Sequence, residues 1–303
     1  MRTLNRKAVR RHFSRAAAAY DEAAVLQRTV AERLDERLEL FTLKPARILD
    51  VGAGTGLLTE HLLRRYPQAQ VVAVDLSEAM LRWAQGKLRR LGGVWQRLRG
   101  RCPAELVVAD AYQLPFADGS FDLVVSNLML QWCDDLDAVL CELRRMLRPE
   151  GLVLFTSFGP DTLRELRQAW AAVDDREHVN TFIDMHDVGD ALIRAGFGQP
   201  VMDVERYTLT YAEPMGVLKD LKAIGATYSA ADGRGLIGKG RLQAMLKAYE
   251  AFRDADGRVP ATYEVVHGHA WAAPEVFRGP DRPRDGVHEM TLDDFVRQVR
   301  GGS

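Results

Sequence analysis

The sequence predicts an α/β protein whose sheet is mainly parallel and covered by helices on both faces. Short, near-continuous apolar runs recur between residues 47 and 157, segments of helical periodicity separate them, and the first run ends in a glycine-rich turn that opens the next helix. Strands with one wet face would alternate apolar and polar residues, whereas unbroken apolar strands need cover on both sides.

The elements follow in order. Val9, Phe13 and Ala16 or Ala17 recur at helical spacing, and Val25, Val30, Leu34, Leu38 and Leu40 continue the pattern, which predicts two helices before residue 45. Arg47-Ile48-Leu49-Asp50-Val51 is the first strand, Leu57 to Tyr66 a helix, Val71 to Asp75 the second strand, and Ser77 caps a helix running to Leu91. Leu106 to Asp110, Phe121 to Ser126 and Leu152 to Ser157 continue the strands, with a helix from about Leu136 to Leu147. Beyond Phe158, Thr162 and Glu165 have the spacing of a capping box for a helix to about Val173, and Asp187 to Ala195 is another helix. Residues 201–211 and 261–272 read as strands, 215–228 and 239–253 as helices. The chain so divides into a helical segment 1–44, a core 45–158, a region 159–273 that completes the sheet, and a tail 274–303. The Pro-, Arg- and Gly-rich tail reads as mobile, with Leu292 to Val299 a short helix.

Composition narrows the function. The 303 residues are 47% hydrophobic and 27% charged, enough for a large core. Basic and acidic residues number 41 and 42, a balance that speaks against a dedicated nucleic-acid binder. Cys102, Cys133 and Cys141 are odd in number and lack the close spacing of zinc or redox motifs, so they read as buried, inert thiols in a reducing cytoplasm. No run reaches the roughly 18 apolar residues of a membrane span, and no secretory signal is evident. Residues 1–20 hold six basic residues and no acid; this resembles a transit peptide but leads straight into a patterned helix.

The most informative segment is Asp50-Val51-Gly52-Ala53-Gly54-Thr55-Gly56, at the junction of the first strand and its helix. Glycines there let the backbone turn tightly and approach a ligand over the sheet edge. The dinucleotide fingerprint would need glycine at position 57, where this chain has Leu57, and no Gly-Lys-Ser/Thr of a P-loop follows. Asp75 ends the second strand, 19 residues beyond Gly56, where a carboxylate can accept both hydroxyls of a ribose. Asp110 ends the third strand at the same edge.

These residues, with Leu114-Pro115-Phe116 and Phe121-Asp122-Leu123-Val124, resemble the class I S-adenosylmethionine-dependent methyltransferases. The resemblance implies a Rossmann-like sheet of seven strands, an N-terminal helical lid and a helical insertion before the last strands. It also implies that Asp50, Gly52, Gly54 and Gly56 receive the methionine part of the cofactor, that Asp75 holds the ribose, and that Asp110 with Ala111 edges the adenine. Leu76 and Asn127 join the same cofactor set.

Further pieces are Phe13-Ser14-Arg15-Ala16-Ala17, Tyr20-Asp21, Leu26-Gln27, Ser126-Asn127-Leu128, Gln131-Trp132-Cys133, His178-Val179-Asn180-Thr181-Phe182, Leu221 to Ala226 and Thr262-Tyr263-Glu264-Val265. Over about residues 5–272 they are similar to the malonyl-[acyl-carrier protein] O-methyltransferases of biotin synthesis. That resemblance implies methylation of the free carboxyl of a malonyl thioester, on a carrier protein or coenzyme A, by a monomeric cytoplasmic enzyme.

A carboxylate of pKa near 4 is already ionised at neutral pH, so the reaction needs alignment and dryness and no general base. Tyr20 and Gln27 are the candidates to fold over the donor, with the Tyr20 ring towards the sulfonium. Trp132, just past the fourth strand, is expected to position the substrate. His178 and Asn180 are candidates to face the malonyl group, and Lys222 is the candidate cation for it. His267 and His269 share a strand face but have no third ligand near in sequence, so no metal is expected. Acyl-carrier proteins are acidic as a family, which makes the basic first twenty residues their expected docking segment. A methyltransferase for another small carboxylate or a quinone-type ring, and a non-catalytic assembly factor, stay open; the intact glycine loop weighs against the last.

Overall fold

A computed structural model describes residues 5–92, 102–226 and 238–273. The tail from residue 274, the helix expected at Leu292 to Val299 and the end of the helix expected over 215–228 lie outside the described residues. Strands β1 (Arg47–Val51), β2 (Gln70–Asp75), β3 (Glu105–Val108), β4 (Phe121–Ser126), β5 (Leu147–Phe158), β6 (Phe197–Tyr211) and β7 (Val259–Ala272) form one sheet in the order β3-β2-β1-β4-β5-β7-β6. The first five are parallel, and β7 enters antiparallel between β5 and β6. Strand order reverses between β1 and β4, which opens a crevice at their carboxyl ends.

Alternate residues of the strands feed two cores. Leu49, Val51, Val72, Val74, Val124 and Val153 pack under α6 (Leu136–Met146) and α8 (Met185–Arg194). Ile48, Val71, Leu123, Val125, Leu152 and Leu154 pack under α3 (Val25–Arg37), α4 (Leu57–Arg65) and α5 (Glu78–Leu88). Both faces are thus covered, and this is why the central strands carry no polar alternation. A third core lies over the carboxyl end, where Leu128 and Phe158 meet α7 (Arg164–Ala171), α9 (Pro214–Ala223) and α10 (Lys239–Tyr249).

Three local expectations change. The N-terminal segment holds three helices, not two: α1 (Arg6–Ala16), capped by the Asn5 side chain, α2 (Tyr20–Ala23) and α3. The chain bends at Ala17 and Ala24, which are buried and small enough for close approach to the core. Thr162 and Glu165 form no capping box. The Thr162 hydroxyl donates to the Glu264 carbonyl, and the Glu165 carboxylate accepts from the Thr262 amide and hydroxyl, so both stitch the start of α7 to β7. Helix α7 instead starts beyond Leu163, at φ +56°, without a side-chain cap. Finally, β3 stops at Val108, which is 52% exposed because β3 is an edge strand.

Candidate active site

The crevice at the β1/β4 switch is built from the turns that follow β1, β2, β3 and β4. Its larger cavity, about 820 Å³ including the open mouth, is lined by the β1 turn, by Asp75 and Leu76, by Asp110 to Tyr112 and by Asn127 to Met129. A smaller cavity of about 320 Å³ adjoins it and shares Tyr20, Gly52, Gly54 and Asn127. Gln27 and Asp50 line the smaller cavity, and Ala111 and Trp132 the larger.

The glycine loop is pinned from behind. Gly52 and Ala53 donate their amides to the Val74 carbonyl, and Gly54 donates to the Asp75 carboxylate at 2.9 Å. Gly52 has φ +77°, and a Cβ there would stand 2.3 Å from Cγ of Met129 across the crevice. Gly56 lines neither cavity. It turns the chain into α4 at φ +79°, where a Cβ would crowd Ala84 and Leu88 at 3.3 Å, so its place is in the helix packing behind the site.

Three carboxylates differ in surroundings. Asp50 is fully buried; one oxygen accepts from the Thr59 hydroxyl at 2.6 Å and the other, Oδ1, has no partner. Burial, with the Asp75 charge adding to it, pushes its pKa up to about 7. Burial also raises Asp75, against the amides of Ser77 and Gly54 that favour its charged form. Each Asp75 oxygen accepts one of those amides, which leaves two further acceptor positions. Asp110 accepts from the Tyr112 amide and pairs with the Arg6 guanidinium at 2.9 Å.

The N-terminal helices cross this edge and bond to each turn in succession. Arg6 reaches Asp110 after β3, the Ser14 hydroxyl meets that of Ser77 after β2 at 2.8 Å, and Asp21 accepts from Thr55 after β1 and from Lys87 at 3.0 Å. Phe13 stands edge-on to Trp132 at 5.2 Å between ring centres. Tyr20 is held as a neutral phenol, raised by burial and by the charges of Asp75 and Asp21. Asn127 is fixed on both sides of its amide, donating to the Gln27 carbonyl and accepting from the Thr156 hydroxyl. Leu128, after β4, has φ +50°, a conformation few side chains adopt and one found where a site constrains the backbone.

Other candidates stand elsewhere. His178 stacks on Trp170 at 3.8 Å and bonds Asp174, and neither it nor Asn180 lines the crevice. Lys222 is exposed on α9. His267 and His269 lie on β7, and among the described residues no group of three or more His, Cys, Asp or Glu is arranged to hold a metal ion. The cysteines are not uniformly buried: Cys141 is exposed, Cys102 half-buried, and buried Cys133 lines the crevice with its thiol pushed up to about 12 by burial. Sequence reasoning missed Arg6, Val9, Met129 and Tyr112 as lining residues. The signal for Tyr112 was its place two residues beyond Asp110; for Arg6 and Val9 it was the helical repeat that also carries Phe13.

The arrangement fits a nucleoside sulfonium of amino-acid type. The orphaned Oδ1 of Asp50 suits an ammonium, Asp75 has acceptor positions for a ribose, and apolar Leu76 and Ala111 flank the far end. A sheet in this order, with a glycine loop after β1 and carboxylates ending β2 and following β3, defines an S-adenosylmethionine-dependent methyltransferase; residues 49–155 match a family model described as a methyltransferase domain. The malonyl-[acyl-carrier protein] O-methyltransferase of Gallionella capsiferriformans is 52% identical over 91% of this chain and 94% of its own length, and that of Laribacter hongkongensis 56% identical over 87% and 88%. The chain belongs to the malonyl-[acyl-carrier protein] O-methyltransferase family. Among solved structures, a putative methyltransferase from Bacillus halodurans shares the fold at TM-score 0.56 and 19% identity, covering 80% of this chain and 100% of its own. The YcgJ protein of Bacillus subtilis does so at 0.55 and 14%, covering 80% and 99%.

Proposed function

We propose that the protein transfers the methyl group of S-adenosylmethionine to the free carboxyl of a malonyl group held as a thioester on acyl-carrier protein. The products are the malonyl methyl ester and S-adenosylhomocysteine. The reading places this step in biotin synthesis, in the cytoplasm, with a monomeric enzyme.

The supporting observation is the chemistry of the crevice wall. Among the described residues no histidine or lysine lines it, Tyr20 and Tyr112 are raised well into the protonated range, and Cys133 is a neutral thiol. Such a wall suits a nucleophile that arrives already ionised. Bound in the crevice, the cofactor supplies an electrophilic methyl group on a positively charged sulfur. Asp50 would hold its ammonium, Asp75 its ribose, and Asp110 with Ala111 the adenine edge. Tyr20 and Trp132 orient the malonyl carboxylate from the lid and from the turn after β4, and the lid excludes water. Attack joins an anion to a cation and gives neutral products, so a dry site of modest polarity favours the transition state over the separated charges.

Two pH dependences separate binding from chemistry. Only ionised Asp50 pairs with an ammonium, so donor affinity is expected to fall as pH drops through about 7, approaching tenfold per unit below it. Calorimetry between pH 8 and 6 reads this, and Asp50→Asn should flatten the profile; a flat wild-type profile would place the ammonium elsewhere. At saturating donor and substrate the single-turnover rate should change little between about pH 6 and 8. A tenfold rise per unit through that window would mean that a deprotonation is required, and would sink the carboxylate reading.

A further inference from the structure

We propose that the outward face of α1 is the docking surface for the acidic carrier protein that presents the malonyl group, a proposal that rests on the methyl-transfer reading above. The helix has two faces. Val9 and Phe13 turn inward and line the crevice, and Ala16 is buried behind them. Lys7, Arg10, Arg11 and Arg15 are exposed on the other side, at the i, i+3, i+4 and i+8 spacing of a single helix face about 12 Å long.

Clustering of unpaired charge sets this face apart. Arg37, Arg65, Arg145, Arg148, Arg194 and Arg253 each hold a carboxylate in an ion pair. None of the four outward cations of α1 has a hydrogen-bond or ion-pair partner among the described residues, and residues 1–20 contain no acid to provide one. Lys7 and Arg11, and Arg11 and Arg15, are like charges one turn apart, a spacing that weakens a helix. An acidic partner laid along the face would offset that repulsion. The surface continues past α1: the turn at Gly225 packs against the His12 carbonyl and Ala16, and its amide bonds the carbonyl of exposed Lys222.

Position adds to charge. The same helix covers the donor crevice and sets Phe13 against Trp132, so a carrier held on its outer side stands beside the mouth. A thioester arm from that side has a short path to the crevice. The residues lining the crevice and the residues gripping the carrier are then opposite sides of one element.

Arg10→Glu/Arg11→Glu tests the surface, because neither side chain lines the crevice or has a hydrogen-bond or ion-pair partner among the described residues. Binding of malonyl-carrier protein, read by fluorescence anisotropy at low and moderate salt, is expected to weaken at least about tenfold and to lose most of its salt dependence. Donor affinity, thermal midpoint and turnover of malonyl-coenzyme A should stay close to wild type. Unchanged carrier affinity overturns the proposal, as does an equal loss on carrier and coenzyme A substrates. A wild-type preference for anionic vesicles or nucleic acid over the carrier, abolished in the variant, overturns it too. A wild-type protein that binds the carrier tightly yet methylates neither thioester would instead refute the methyl-transfer reading, while the binding measurement still decides the surface.

Discussion

Asp75→Ala is expected to weaken S-adenosylmethionine binding roughly 10- to 150-fold, equivalent to about 1.5–3 kcal/mol for charge-assisted hydrogen bonds to a ribose. The carboxylate also accepts the Gly54 and Ser77 amides, so its removal slackens the glycine loop at the moment it removes the ribose acceptor. Asp75→Asn separates the two effects. Its single acceptor oxygen can keep one of the two amides, and the loss should be intermediate. Calorimetry of donor binding, with thermal melting of the free proteins beside it, measures both. Donor affinity equal to wild type in the alanine variant would take Asp75 out of the site.

The second large effect is on stability in acid. His267 on β7 is 1% exposed, and neither ring nitrogen has a hydrogen-bond partner; Glu205 stands 3.9 Å away. Burial and the Arg37 charge push its pKa down to about 4, with Glu205 and Asp203 opposing. The unfolded chain takes up this proton near pH 6.5 and the folded chain only near 4. Protonation therefore favours unfolding between those values. Stability from this group is complete above about pH 6.5 and declines as pH falls, by about 2 kcal/mol at pH 5 and about 3 kcal/mol at pH 4. Between pH 7 and 5 the urea midpoint should fall further, or rise less, in the wild type than in His267→Leu, whose side chain carries no proton, while Asp50, raised by burial, acts in the opposite sense in both proteins. An identical pH dependence in the two proteins would place the acid sensitivity in other groups.

The parallel half was legible because its signals are local. Apolar runs ending at Val51 and Asp75, a Ser77 cap and a glycine turn each act within a few residues, and the structure has Ser77 accepting from the Met80 amide as its spacing predicts. The capping box failed for the opposite reason. Thr162 and Glu165 have the right spacing for local bonds, but β7, about a hundred residues away, offers them a strand edge, and buried partners outcompete a solvated cap. The crevice was readable for the same cause as the strands, since Asp50 within β1, Asp75 ending β2 and Asp110 two residues past β3 all stand at the carboxyl ends of the parallel strands. Residues on the substrate side sit on segments whose path depends on tertiary packing. Nothing near His178 in sequence signals that the Trp170 ring stacks on it, and nothing near Lys222 signals that α9 carries it outward.

The place of β7 has a consequence for how the chain comes to be made. It is the last strand among the described residues yet lies inside the sheet, between β5 and β6. As the polypeptide leaves the ribosome, β1 to β5 can assemble in parallel as they appear. The outer edge of β5, with Leu152, Leu154 and Phe155, then waits for a neighbour more than a hundred residues downstream. Through that interval β6 has no strand to join, and the nascent chain carries a bare, apolar β-edge open to pairing with another copy. Synthesis stalled before Val259 would leave the cofactor half built beside an adhesive border, so the yield of active protein should depend on elongation speed and on chaperones that shield β5 until β7 slots in.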